Sequence, residues 1–203
     1  MVFKNSPTSV ETPRKPKSGR TRRTPRRSTS KSLENIARFH LQRFASSAHN
    51  LRVVLMRSVH TSAQFHALDI NEAEKWVGDI IKRFLQSGLL DDYVYARGKV
   101  ITMLARGSSL IRVRSSLATK GVSRTIVEEV LIDLFSENKN MVFDAALKFA
   151  RRRQIGPYRR ASIIEKREEK RELSILARAG FSYSIARQIV DSNLDDYIDQ
   201  PPD

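Results

Sequence analysis

Few residues in this 203-residue chain are of a type and spacing that could do chemistry. Asp91 and Asp92 are adjacent carboxylates, the raw material of acid and base catalysis, but a carboxylate pair directly before a helix is explained by N-capping and the helix dipole. The histidines are His40, His49, His60 and His66. No two of them stand four apart, the spacing that would aim both rings at one metal from a helix. His40 falls on an apolar helical face and reads as a packed core histidine. Cysteine is absent, which removes thiolate zinc ligands, cysteine nucleophiles and any disulfide framework. There is no GxxxxGK[ST] phosphate loop, no GxGxxG and no GxSxG, and the eight glycines are scattered, several of them at helix ends. The expectation is therefore no catalytic residue, no metal site and no cofactor.

What remains is positive charge. Lys and Arg outnumber Asp and Glu by 37 to 22, a net +15, which points to a polyanionic partner. Residues 1–32 hold ten of the cations against one acid, with four prolines, so this stretch is expected to be a disordered basic arm. It could lie along a phosphate backbone or an acidic surface, or serve only as a solubilising extension. The other candidate contacts for a polyanionic partner are Arg106, Arg112, Arg114, Lys120, Arg124, Arg151, Arg152, Arg153, Arg159 and Arg160. To act as a groove for phosphates they must gather on one face. Scattered, they would be ordinary surface charge. Trp76 and the Tyr and Phe residues fall on core stripes, so no base-stacking platform is expected.

The elements that must carry these cations are specified by a repeat. Leu117 to Val130, LATKGVSRTIVEEV, returns as Leu176 to Ile189, LARAGFSYSIARQI. Leu117 pairs with Leu176, Gly121 with Gly180, Val122 with Phe181, Ser123 with Ser182, Ile126 with Ile185 and Val130 with Ile189. Gly121 and Gly180 stop a helix by entering the left-handed region, which costs a residue with a Cβ about 1 to 2 kcal/mol. Val122 and Phe181 supply the apolar contact of such a cap, and Ser123 and Ser182 N-cap the next helix for about 1 kcal/mol each. A repeat of this kind signals stacked helical modules.

Apolar residues at steps of three and four extend the pattern along the chain. A first helix carries Leu33, Ile36, Ala37, His40, Leu41 and Phe44. A second is capped by Ser46 or Ser47, and a polar segment runs from Thr61 to Leu68. A third is capped by Asn71 and ends at Gly88. Asp91 or Asp92 opens a fourth that Gly107 releases, Ser109 caps the fifth and Ser123 the sixth. Asn140 opens the seventh, which runs into Arg151–Arg153 before Gly156-Pro157. The eighth spans about Ser162 to Ala179, and Ser182 caps the ninth. The run Glu165 to Glu172 reads as a solvated helix face. The predicted fold class is all-α, with three tandem three-helix, helix-turn-helix-like repeats (33–90, 91–137 and 138–192) forming an elongated curved molecule. An acidic frayed tail (193–203) closes it. With no apolar run of about 18 residues or more, a soluble cytoplasmic monomer that avoids membranes is expected.

Gly88-Leu89-Leu90-Asp91-Asp92 with Tyr95-Ala96, then Leu117-x-x-Lys120-Gly121-Val122 with Ile126 and Leu131, then Leu176-x-x-Ala179-Gly180-Phe181-Ser182, resembles the RecX family of recombination regulators. The likeness covers residues 33 to 191. It implies a curved protein of three three-helix repeats without catalytic residues, which binds in the groove of a RecA nucleoprotein filament on single-stranded DNA and modulates, usually inhibits, its ATPase and strand exchange. The family's basic concave face would correspond to the cations named above. Where the family tends to place Ser-x-x-Glu-Leu, this chain has Ser47-Ala48-His49-Asn50-Leu51 and lacks the carboxylate half of a capping box. The alternative is a direct DNA- or RNA-binding helix-turn-helix protein, on single or double strands. It is disfavoured because Arg124, Thr125, Glu128, Glu129 and Tyr183 make a poor set for base edges.

Overall fold

A computed structural model describes residues 26–159 and 166–192, with side chains for all of these except 166–168. Among them the order is α1 (Ser30–Arg43), α2 (Ala48–Ala63), α3 (Ile70–Gln86), α4 (Asp92–Ala105), α5 (Leu110–Thr119), α6 (Arg124–Glu137), α7 (Met141–Arg153), a 3-10 turn (Gly156–Tyr158), α8 (Lys166–Ala179) and α9 (Tyr183–Asp191). No strand occurs among the described residues.

The apolar stripes close into three clusters. Leu33, Leu51, Leu55, Val77, Ile80 and Phe84 join α1, α2 and α3. Val100, Leu104, Val113, Leu117, Val130 and Leu134 join α4, α5 and α6. Leu147, Phe149, Leu176, Phe181 and Ile189 join α7, α8 and α9. A fully buried leucine, such as Leu51 or Leu117, contributes about 1.5 to 3 kcal/mol. Helix α7 is shared: Ala145 belongs to the second cluster and Ala146 to the third, so the boundary expected at 137/138 is packed across.

Two helix starts differ from expectation because a nearer or better-placed group takes the free N–H, and that of α5 goes without a side-chain cap. Helix α1 begins at Ser30, inside the stretch assigned to the arm, because Thr29 and Ser32 form a reciprocal capping box. The Ser28 N–H, buried ahead of it, donates to Ser62 Oγ at 2.8 Å. Asp69, not Asn71, caps α3 and accepts from the Asn71 N–H. Thr61 to Ala63 continue α2 instead of forming a polar linker. Ser109 occupies the N-cap of α5 without bonding it.

The Ser109 hydroxyl instead donates to the Ala179 carbonyl at 2.6 Å, 70 residues away. Ser47 does the same one module earlier, donating to the Lys120 carbonyl at 2.5 Å while accepting from the Asn50 N–H. The start of α2 thus meets the end of α5, and the start of α5 meets the end of α8. Gly121 and Gly180 sit at those meetings with φ of +70° and +92°. Each closes the doubly bonded cap that the sequence predicts: Val122 N–H donates to Leu117 O at 3.1 Å and Phe181 N–H to Leu176 O at 3.1 Å. A Cβ on Gly121 would lie 2.3 Å from His49 Cβ, and one on Gly180 would lie 2.7 Å from Ser109 Oγ. Both glycines therefore serve a turn and a close approach at once.

The capping carboxylate missing from the start of α2 comes from another helix. Asp92 Oδ1 accepts from the Ala48 N–H at 2.8 Å, while Asp91 caps α4 through the N–H groups of Tyr93 and Val94. The adjacent carboxylates serve two different helices.

Candidate partner-binding surface

The structure sorts the predicted cations by what they touch. Arg114 grips Glu128 with two hydrogen bonds, Nε at 2.8 Å and Nη2 at 2.9 Å, and this bonding holds the Glu128 carboxyl below its usual range. Arg159 grips Glu172 through Nε at 2.9 Å and through Nη2. Glu172 is only 3% exposed and also accepts from the Gly156 N–H, so this pair fastens the 3-10 turn to α8. The expectation of a solvated face fails at Glu172, because the helix turns that position toward the turn beneath it. Lys120 reaches across the first joint to Asn50 Oδ1 at 3.1 Å. Three of the ten predicted contacts are thus occupied within the chain, and Arg160 lies outside the described residues.

The others are exposed: Arg106, Arg112, Arg124, Arg151, Arg152 and Arg153. None of them forms a salt bridge among the described residues. Arg106 is the C-cap of α4, and the Gly107 that follows, at φ +74°, presses against α7. A Cβ there would lie 2.9 Å from the Phe149 amide nitrogen and 3.2 Å from Arg152 Nη2. The turn therefore lays Gly107, the residue after Arg106, against the Arg152 guanidinium. Arg151, Arg152 and Arg153 fill the last turn of α7, where the helix dipole favours positive charge. Arg153 lies 5.9 Å from the Phe149 ring centroid. Arg112 and Arg124 stand on α5 and at the start of α6, and no hydrogen bond or ion pair ties them to this group.

A second feature was not expected. Between the end of α1 and α4 runs a groove of about 840 Å³ lined by Phe44, Leu89 and Val94 with Arg38, Lys99 and Arg106 on its sides. Phe44 is 59% exposed because α1 stops at Arg43 and the chain turns extended, lifting the ring out of the helical stripe that the periodicity assigned to it. Phe39, Phe65 and Tyr183 are exposed as well, so the aromatic residues are not all core. The only legible hint was position: Phe44 directly precedes the small polar run Ala45-Ser46-Ser47 that ends a helix.

No group of three or more metal-ligating side chains exists among the described residues. No described helix is long and apolar enough to cross a membrane. His40 packs against Phe44 with ring centroids 5.4 Å apart, and its Nε2 is buried without a hydrogen-bond partner.

No family model matches the chain. Among curated proteins, it is 36% identical to the regulatory protein RecX of Myxococcus xanthus over 169 residues, covering 83% of this chain and 89% of that one. The chain belongs to the RecX family. The RecX of Agrobacterium fabrum is 34% identical over 158 residues, covering 77% of this chain and 80% of its own. The crystal structure of RecX from Lactobacillus salivarius superposes with a TM-score of 0.61 at 20% identity, over 79% of this chain and 94% of that one. A second RecX crystal structure gives 0.59, also at 20% identity, over 80% and 72%. At that identity the superpositions show that the RecX fold is shared.

Proposed function

We propose that this protein is a non-enzymatic regulator of homologous recombination and DNA repair that binds the RecA filament on single-stranded DNA and inhibits its ATPase and strand exchange. It acts as a cytoplasmic monomer of three tandem three-helix repeats. The observation that carries the reading is the group of exposed arginines without carboxylate partners, Arg106 with Arg151, Arg152 and Arg153, on a chain of the RecX family. Such a group offers several donors to phosphate or carboxylate without first breaking an internal salt bridge. Arg114, Lys120 and Arg159, already bonded within the chain, drop out as first-choice contacts.

The test is the ATPase rate of RecA filaments on single-stranded DNA with substoichiometric additions of the full chain, of a chain lacking residues 1–25, and of an Arg151→Gln/Arg152→Gln variant. The first two should suppress turnover, and the variant should lose suppression while keeping its helical circular dichroism. If no chain changes turnover while the full chain binds bare duplex DNA with a log-log salt slope of about 0.9 per phosphate contacted, the direct DNA-binding reading replaces this one.

A further inference from the structure

The chain that carries these arginines also holds a strongly acidic stretch. Residues 193–203, NLDDYIDQPPD, hold Asp195, Asp196, Asp199 and Asp203 and no Lys or Arg. Helix α9, which leads into them, packs back onto α7 and the 3-10 turn: a Cβ on Gly156 would lie 2.5 Å from the Ile189 carbonyl oxygen. From Ser192 the route to Arg152 is three residues back to Ile189, that one contact, and four residues from Gly156. Even fully extended, this path spans less than about 30 Å, and residues 193–203 extended span about 36 to 40 Å. The acidic segment can therefore reach Arg151 and Arg152 within its own molecule, and Gly107, the neighbour of Arg106, lies against Arg152.

We propose that residues 193–203 are an internal competitor for the partner surface: their aspartates dock on Arg151, Arg152 and Arg106 in the free protein and are displaced when a polyanionic partner binds. The contact half of this proposal stands on charge and reach alone, and the competition half rests on the function proposed above. Because the ion pairs are exposed, the contact is weak and salt-sensitive. It would raise the threshold for adventitious anions while yielding to a partner that engages the whole surface.

The chain contains no cysteine, so Gln200→Cys carries a single nitroxide label on the otherwise intact protein. At about 0.05 M salt the label should broaden the amide signals of Arg106, Gly107, Arg151 and Arg152 selectively, and about 0.5 M salt should restore them. Arg151→Gln/Arg152→Gln should restore them as well. No selective broadening, or broadening centred instead on Arg38 and Lys99 in the groove, overturns the proposal. In a second arm, the Asp195→Asn/Asp196→Asn/Asp199→Asn/Asp203→Asn variant should bind fluorescent RecA–single-stranded DNA filaments about three- to tenfold more tightly at low salt, the yield of a few exposed ion pairs. Equal affinity overturns the competition. If neither chain binds filaments while the broadening persists, the filament function fails and the internal contact stands.

Discussion

The two joints between successive parts of the molecule use the same parts differently. At the first, Ser47 does two jobs, capping α2 through the Asn50 N–H and reaching the Lys120 carbonyl, and Asp92 and Lys120 add bonds across the meeting. At the second, among the described residues, the buried Ser109 hydroxyl makes the cross-joint bond alone, and its own helix start goes without a side-chain cap. The neighbours of the glycines differ too. Gly121 faces His49 Cβ, an atom no rotamer change can move away, whereas Gly180 faces a hydroxyl that can rotate. A shared sequence pattern thus leaves one multiply bonded joint and one with a single cross-joint hydrogen bond among the described residues.

The largest expected effect comes from one methyl group added at each glycine. Gly121→Ala should cost about 4 kcal/mol and Gly180→Ala about 3, from left-handed strain plus overpacking, read as a shift of the urea midpoint. Adding His49→Ala to Gly121→Ala should restore little, because the clashing Cβ remains. Equal costs at the two glycines would mean that the His49 backbone yields freely.

Ser47→Ala should cost about 2.5 kcal/mol, a cap plus a cross-joint bond, and Ser109→Ala about 1.5 for the bond alone. A reversed order would mean that burial at the second joint outweighs the extra cap at the first. Asp92→Ala should cost about 1 kcal/mol through the lost cap on α2, and thermal unfolding of the variant should show it. The smallest effect lies outside both joints: Gln154, at φ +55°, is the described non-glycine residue in the left-handed region, and Gln154→Gly should stabilise by about 0.5 to 1 kcal/mol in the same assay.

Much of this fold was legible because its signals are local. Gly121 and Gly180 announce helix ends through a conformation only glycine adopts cheaply, and Ser123 and Ser182 accept from Ile126 and Ile185 three residues on. Each of these statements involves atoms within a few residues of one another, so spacing alone predicts them. The candidate surface was legible only as a list of cations. Arg114 and Arg159 look no different in sequence from Arg112 and Arg151, yet the first two are held by Glu128 and Glu172 and the others are not. Nothing in a charge count distinguishes a cation with a carboxylate 13 or 14 residues away from one without it.

Periodicity, left-handed glycines and serine caps act over a few residues and leave their spacing in the chain, so the helix order, most of the turns and the RecX likeness were readable there. Only the packing of the helices shows which described arginines lack a carboxylate partner, that the Ser47 and Ser109 hydroxyls bridge between helices, and that Gly107 lies against Arg152. Those outcomes depend on how α4 crosses α7 and how α5 meets α8. Such contacts join positions tens of residues apart, where a hydrogen-bonding or charged group takes whichever partner packing brings within about 3 Å.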